Sequence, residues 1–195
     1  NGGATRFRAA GNLPPEAETE TDQDLTALAS DADAADSAEE SDESGSAEPS
    51  IRFAGTIDVS SDDSVGGLVT LEGRDIVLAA TARIDATGAT GGGDVLVGGD
   101  WQGGTNKERR VFDDPDALQQ ATIVTMDSGA LIDASATENG DGGTVVLWSD
   151  TNNSDSVTTV GGTLLANGGV TGGDGGQIET SGLRLETVGA QVSAS

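Results

Sequence analysis

A Gly-Gly pair followed by an alternating, strand-like stretch recurs four times along the chain. In every copy the second residue after the glycines is apolar and β-branched, whereas the first and third vary freely. A period of two with one constrained face is typical of a strand that buries one side. The glycine pair indicates a bend at which a Cβ would obstruct the chain. The copies are Gly66–Leu71, Gly92–Val97, Gly142–Leu147 and Gly175–Thr180.

A second strand motif of five residues alternates with the first. Its first position is Gly or Ala, its third is a large aliphatic residue, and its fifth is Val or Ala. The copies are residues 55–59, 82–86, 130–134, 162–166 and 190–194. Its aliphatic anchors are Ile57, Ile84, Ile132, Leu164 and Val192. The shorter spacings between anchors fit one coil of three short strands and three corners.

A third, less regular strand is expected before two of the anchors, at residues 75–78 and 121–126, while the equivalent segment 152–159 is polar and loosely specified. One such strand cannot bury its face alone, but stacked copies can. We therefore predict an all-β fold, a right-handed parallel β-helix (β-solenoid), with the hand taken from the preference of parallel crossovers. A β-sandwich is the alternative, although it does not explain why the same inward pattern returns in each repeat.

The chain divides into three parts by composition. Residues 1–15 are expected to be the end of a preceding repeat or a linker, and residues 50–195 are the repeats. Residues 16–49 form an acidic, low-complexity insertion with thirteen acidic residues and no Lys or Arg. Low hydrophobicity with charge of one sign predicts disorder there, and a solvated insertion is favoured over a cation- or partner-binding arm. A second inserted loop at about 102–119 explains the longest repeat.

Composition excludes several classes of function. The chain has no Cys and no His, which excludes zinc sites built on those residues and Ser-His-Asp or Cys-His catalysis. A net charge of −25 repels nucleic-acid backbones and anionic membranes, so we expect no nucleic-acid partner. No apolar run is long enough for membrane insertion. The chain opens without Met or a signal peptide, and we expect it to be a segment of a longer protein.

Five aspartates are candidate calcium ligands. Asp58, Asp85 and Asp133 occupy one register of the repeats, and Ca²⁺ takes oxygen ligands. We favour their lying outward beside turns, in solvent. Asp141 and Asp174 stand in two Gly-Asp-Gly-Gly stretches, but calcium-binding β-rolls need tandem nine-residue copies. No metal or cofactor site is therefore predicted, and Ca²⁺ is the one cation kept as an alternative.

Three carboxylates of the second insertion are candidate catalysts. Asp113, Asp114 and Asp116 could act as a glycosidase pair, but such sites need a raised pKa and sugar-binding aromatic residues. Only Trp101 and Trp148 are available, and an Asp-Asp-Pro-Asp run is typical of a turn. We predict no catalytic residues. Trp148 has the outward parity of its strand, and both stacking on a sugar and covering a corner stay open for it.

Four stretches of the repeat region resemble the filamentous haemagglutinin family of large bacterial exoproteins. They are residues 91–103, 130–136, 140–150 and 172–182, and the likeness covers roughly residues 50–195. The resemblance implies a long β-helix, secreted through a dedicated outer-membrane transporter of a two-partner system and used for adhesion. The acidic insertion departs from the family pattern, and the secretion domain of the family is not recognised in this sequence.

The function expected from this resemblance is that of a stalk segment in a secreted, cell-surface adhesin without catalysis. Its partners would be the two-partner transporter during export and then a host-cell, bacterial or matrix surface, with glycans among the ligands. A polysaccharide-active enzyme on the same fold is one alternative. A purely structural extracellular filament or matrix protein is the other.

Overall fold

A computed structural model describes residues 3–8 and 50–195, and this part of the chain is almost entirely β-structure. The predicted disorder of residues 16–49 lies outside the described residues. Besides one short 3₁₀ turn at Trp101–Gly104, the regular elements are strands. They are β1 Ala4–Arg8, β2 Ser50–Phe53, β3 Thr56–Asp58, β4 Leu68–Glu72, β5 Asp75–Leu78, β6 Arg83–Asp85, β7 Asp94–Val97, β8 Ile123–Met126, β9 Leu131–Asp133, β10 Thr144–Trp148, β11 Val157–Val160, β12 Thr163–Leu165, β13 Gln177–Ser181, β14 Arg184–Thr187 and β15 Gln191–Ser193.

The strands form three parallel sheets of five strands each. Sheet A has the order β1-β4-β7-β10-β13, sheet B β2-β5-β8-β11-β14 and sheet C β3-β6-β9-β12-β15. Every strand pairs with the strand three places along the chain, so each coil contributes one strand to each sheet. Five stacked coils of this kind are a parallel β-helix. The predicted fold is confirmed, and the β-sandwich is excluded.

The repeated apolar positions stack into continuous columns inside the coils. In sheet A, Val69, Val95, Val145 and Ile178 are Cα partners in successive strands, and the three valines are fully buried. The anchors of the second motif pair in the same way along sheet C. Both columns belong to one hydrophobic core. The alternation read from the sequence thus places one face of the strands in this core, except in the last coil, where Leu185 of β14 and the anchor Val192 of β15 are exposed.

Two strands that the pattern did not predict carry threonine at an inward position. In β1, Thr5 pairs with Val69 and Phe7 with Leu71, which makes Ala4–Arg8 a further copy of the first strand motif. In β11, Thr158 is fully buried, and its hydroxyl donates to the carbonyl oxygen of Ser181 at 2.7 Å. A hydroxyl satisfied in this way can occupy the core, so the polar segment 152–159 still contains a strand.

The Gly-Gly pairs lie where successive coils approach most closely. A Cβ added to Gly143 would stand 1.9 Å from the carbonyl oxygen of Gly93 in the preceding coil, and one on Gly142 would stand 2.1 Å from that of Ala166. Neither glycine has a positive φ. Glycine is therefore required here because there is no room for a side chain, and not because of the backbone conformation. The Gly143 amide also donates to Ala134 O at 2.8 Å and closes the corner.

The connections that vary most in length occur at one corner of the coil, between sheets A and B, which we call the A–B corner. Two of its links, 73–74 and 182–183, contain two residues each. The others are residues 98–122 between β7 and β8 and residues 149–156 between β10 and β11. Residues 9–49 connect β1 to β2 at the same point of the coil. Inserted sequence is therefore concentrated along one edge of the β-helix.

Replacing Gly143 with Ala should destabilise the fold by about 3 kcal/mol or more, because the added methyl group meets backbone that cannot move without breaking the stack. Gly55→Ala is the matched control, since its Cβ would lie 3.7 Å from the Phe53 ring, an ordinary contact. Urea unfolding followed by circular dichroism measures both variants. Equal stabilities, within about 0.5 kcal/mol, would contradict the close-approach explanation.

Candidate functional site

The insertion between β7 and β8, residues 98–122, folds over the outer face of sheet A, and we call it the covering loop. Leu96, Val146 and Trp148 have side chains on this outer face, and all three are buried. They form a second hydrophobic cluster with Leu118 of the covering loop, against which Leu68, Trp101, Val111 and Phe112 pack. The strand pattern assigns this outer face of sheet A to solvent. In the structure the covering loop buries it and forms a small second core outside the coils.

Asp100 holds the covering loop in its fold. Its side chain is buried, and Oδ1 accepts hydrogen bonds from the amides of Trp101 at 2.7 Å and Val111 at 3.0 Å. Oδ2 accepts from the amide of Phe112 at 2.9 Å. One carboxylate thus joins Trp101, at the start of the loop, to Val111 and Phe112 further along it. No repeat motif marks Asp100, although Asp side chains often bond to nearby backbone amides.

Glu72 connects β1, β4 and the covering loop. Its carboxylate is fully buried and accepts hydrogen bonds from Arg6 Nε, from Arg8 Nη2 at 3.1 Å and from the amide of Gln119 at 3.0 Å. Burial raises the pKa of Glu72, but the hydrogen bonds from Arg6, Gln119 and Arg8 outweigh it and leave the pKa lowered. Glu72 is therefore ionised at neutral pH. No repeat motif marks it, so sequence reasoning did not single it out.

The covering loop contacts sheet A from its first strand to its last. On the β1 side, Arg6 Nη2 donates to the carbonyl oxygen of Ala117 at 3.1 Å. On the β13 side, the Gln102 amide donates to Glu179 Oε2 at 2.8 Å, and Arg109 donates to Gln177 at 2.7 Å. The loop therefore ties together strands from all five coils.

Trp148 is a core residue of the covering loop interface and not an exposed sugar-stacking platform. It is 6% exposed, and its Nε1 donates to Gln120 Oε1 at 2.9 Å. Gly99 and Gly103 approach the ring so closely that an added Cβ would lie 2.6 and 2.8 Å from it. Of the two interpretations left open by the sequence, the packing favours the covering of a corner.

The aspartates of the register column bond to the turns that follow them. Asp58, Asp85 and Asp133 pair in successive strands of sheet C, and Oδ1 of each accepts from the amide two residues ahead. The donors are the amides of Ser60, Thr87 and Ser135, each at 3.0 Å. Hydrogen bonds from Ser60 lower the pKa of Asp58. Among residues 3–8 and 50–195, no group of three or more acidic side chains is arranged to hold a metal ion.

The remaining candidate carboxylates also lie in turns. Asp141 Oδ1 accepts from the amide of Asp174 at 2.8 Å, which joins equivalent turns of two coils. Asp113, Asp114 and Asp116 are exposed, and Asp114 Oδ1 accepts from the amide of Asp116 at 3.0 Å. Their positions are those of turn-forming residues.

A polar cleft lies at the A–B corner between the covering loop and residues 149–156, which we call the corner loop. Its volume is about 330 Å³. The lining residues are Gln102, Gly103, Thr105, Gln120, Trp148, Thr151 and Asn152. None of these side chains is ionisable. Gln102, Thr105, Thr151 and Asn152 are exposed there, and we take this cleft as the candidate binding site.

Comparison with known proteins places this β-helix beside a bacterial exoprotein domain. No family model matches the chain, and no curated protein matches it. Among solved structures, it is similar to the HMW1 secretion domain from Haemophilus influenzae, with 26% identity and a TM-score of 0.57. The match covers 73% of this chain and 34% of that one.

The predicted resemblance to the filamentous haemagglutinin family is confirmed. HMW1 is a two-partner secretion exoprotein of the filamentous haemagglutinin-like type. No secretion domain is recognised from the sequence of this chain, whereas the similar structure is one. The chain covers about a third of the length of that domain. In its described residues, no helix has the length and apolar character that crossing a membrane requires.

Replacing Glu72 with Gln should lower the free energy of unfolding at pH 7 by about 1–3 kcal/mol, because charged hydrogen bonds to a buried acceptor are lost. A carboxyl group with a lowered folded pKa contributes stability above its unfolded pKa, here near 4.5. That contribution disappears as the pH falls through the folded pKa. The difference between the Gln variant and the wild type should therefore shrink as the pH is lowered below this value.

Urea unfolding between pH 7 and pH 3 measures this difference, with the exposed Glu108→Gln as control. A difference that stays constant over the whole pH range would show that Glu72 contributes nothing through its charge.

Replacing Asp100 with Asn should loosen the covering loop while the coils stay folded, because an amide NH₂ cannot accept the amide hydrogens that the carboxylate binds. Tryptic cleavage after Lys107, Arg109 or Arg110 should accelerate about tenfold, with an unchanged far-ultraviolet spectrum. Asp116→Asn, an exposed loop position, is the control. Identical cleavage rates for wild type and Asp100→Asn would contradict the anchoring role.

Proposed function

We propose that this chain is a rigid shaft segment of a secreted exoprotein exported by a two-partner system and displayed on the cell surface as an adhesin. The observation that carries the proposal is the register of the five coils, which runs without a break through all three sheets. Each further coil would add about 4.8 Å of length, the spacing of neighbouring strands. Stacked repeats of this kind hold a distal binding element away from the membrane.

Three properties of the chain support export in an unfolded state. The chain has no Cys, so no disulfide can lock it before it passes a transporter. Each coil contacts mainly its neighbours, which allows coils to add one at a time as the chain emerges. The net charge of −25 keeps an unfolded chain soluble. The similarity to a secretion domain supports the same route.

We propose a non-enzymatic role because the candidate catalytic carboxylates, Asp113, Asp114 and Asp116, are exposed in a turn, and Asp114 accepts a hydrogen bond from a turn amide. The surface offered to a host-cell, bacterial or matrix partner is the A–B corner, where inserted sequence accumulates. Variation in these insertions changes the surface without disturbing the columns of the core. This arrangement suits a shaft that also carries binding elements.

Export is tested with the 195-residue chain placed between the secretion domain of a two-partner exoprotein and an epitope tag. In a Gram-negative host with the matching transporter, we expect the tag on the cell surface or in the medium, and in neither when the transporter gene is deleted. Retention of the tagged chain in the periplasm, while the secretion domain alone is exported, would contradict the export role.

The adhesive role is tested on the same cells. Attachment to host cells or matrix should rise when the chain is displayed, relative to cells that display the secretion domain alone. Attachment that does not change would favour a structural filament, and measured cleavage of polysaccharide would favour an enzyme.

A further inference from the structure

The outer face of sheet B carries β-branched side chains along its three central strands. Alternate residues of β5, β8 and β11 lie in the main core, so the residues between them point outward. The covering loop buries the outer face of sheet A, whereas the second core that it forms includes no residue of sheet B. We call the outward residues of sheet B the B face. Its central members are Val77, Ile123, Thr125, Val157 and Thr159, and each is partly exposed.

The charged side chains of the B face lie toward its two ends. Arg52 of β2 and Asp75 of β5 stand at one end, and Arg184 and Glu186 of β14 stand at the other. Two arginines balance two acidic residues, so this face is neutral in a chain with a net charge of −25. The outer face of sheet C, by contrast, carries the aspartate column. The B face is therefore a side on which two such acidic molecules can approach each other with little repulsion.

Arg52 and Glu186 occupy opposite ends of one row of the B face. The paired Cα positions of this row are Arg52, Val77, Thr125, Thr159 and Glu186. Four strand spacings, about 19 Å, separate its ends, so the two charges cannot pair within one copy. Both side chains are exposed, and neither forms an ion pair with another residue of 3–8 or 50–195. The row thus ends in a positive charge on one side and a negative charge on the other.

A two-fold axis parallel to the strands would bring these opposite charges together. When a second copy packs its B face on the first with its coils running the other way, the first coil of each copy faces the fifth coil of the other. Arg52 then meets Glu186 of the other copy at both ends, and Thr125 faces Thr125 near the axis. The parallel arrangement would instead gather both Arg52 side chains at one end and set Asp75 against Val77. Charge complementarity therefore favours the antiparallel pair.

We propose that two copies of this chain associate side by side and antiparallel through their B faces. The methyl groups of Val77, Ile123 and Val157 leave water at the centre, and the Arg52–Glu186 pairs close both ends. Five strands of four residues each form the face. They span about 13 Å by 19 Å, or roughly 250 Å² per copy, which is well below the ~800 Å² per partner of a stable complex. The pair is therefore weak, with an expected Kd of about 0.1 mM.

This pairing uses the side of the β-helix and not its ends, so further coils would leave the B face in place. On displayed shafts, an antiparallel pair would join molecules from two facing surfaces, and repeated weak contacts would add up through avidity. That meaning rests on the proposed function. Pairing itself is measured on the purified chain, so its failure leaves the export test unaffected, and failed export leaves the pairing test unaffected.

Sedimentation equilibrium of the purified 195-residue chain tests the pairing. Between ~10 μM and ~1 mM protein, in ~0.15 M salt to screen the net charge, we expect a monomer–dimer equilibrium. Thr125→Lys should weaken it at least tenfold, because two ammonium groups would face each other near the axis. Thr163→Lys is the matched control, since Thr163 of β12 is a partly exposed outward threonine of sheet C. Far-ultraviolet circular dichroism checks that both variants keep the β-helix.

A charge exchange between the two ends tests the antiparallel arrangement. Arg52→Glu and Glu186→Arg should each weaken self-association about tenfold, because each reversal turns two attractions into two repulsions. An equimolar mixture of the two variants should recover the wild-type affinity. In the mixed pair the reversed charges face each other at one end, and the native charges face each other at the other end.

Three results would overturn the proposal. One is a chain that stays monomeric up to ~1 mM, which would leave the B face to a different protein. Another is self-association that Thr125→Lys does not change, or that produces open-ended oligomers, since either would place the contact at the ends of the β-helix. The third is a mixture of Arg52→Glu and Glu186→Arg that associates no better than either variant alone.

Discussion

The close approach of backbone to backbone at the Gly-Gly corners is the constraint on which the rest of the structure depends. Because no side chain separates Gly143 from Gly93, the strands that follow them can meet in register. A slip of one residue would turn the inward valines of sheet A to the outside. Register at the corner thus determines which face of every strand reaches the core, and the same register is repeated five times.

The covering loop adds a second layer of structure on the outer face of sheet A. It buries apolar side chains that the alternating pattern places outside the coils. Two buried carboxylates hold it in place, Asp100 of the loop and Glu72 of β4. Both are satisfied by several donors, as buried charges require. The loop therefore works as a rigid part of the surface. Its rigidity is what lets the cleft beside it hold Gln102 and Trp148 in fixed positions.

The sequence predicted the columns of the core well because they depend on local alternation repeated at a fixed place in each coil. It did not predict β1, β2, β11 and β14. In β1 and β11, Thr5 and Thr158 stand where other coils have aliphatic residues, and hydroxyl groups can be satisfied inside a coil. The parallel fold and its strand order followed from the repeat alone.

The candidate site was beyond prediction for a different reason. Glu72 meets Arg6 across 66 positions of sequence, and Trp148 meets Gln120 across 28. The cleft is likewise formed by two insertions that share no motif and become neighbours only because they leave adjacent coils at one corner. Local patterns carry no information on such contacts, since coil stacking creates them.

A distance across the whole stack tests the account most directly. Thr56 and Gln191 occupy one register of sheet C, four strand spacings apart, and the chain has no Cys to interfere with spin labels placed there. Pulsed electron-spin resonance on Thr56→Cys/Gln191→Cys should give a single narrow distribution near ~19 Å, four times the strand spacing. A broad distribution, or one centred well beyond ~30 Å, would contradict the stacked register.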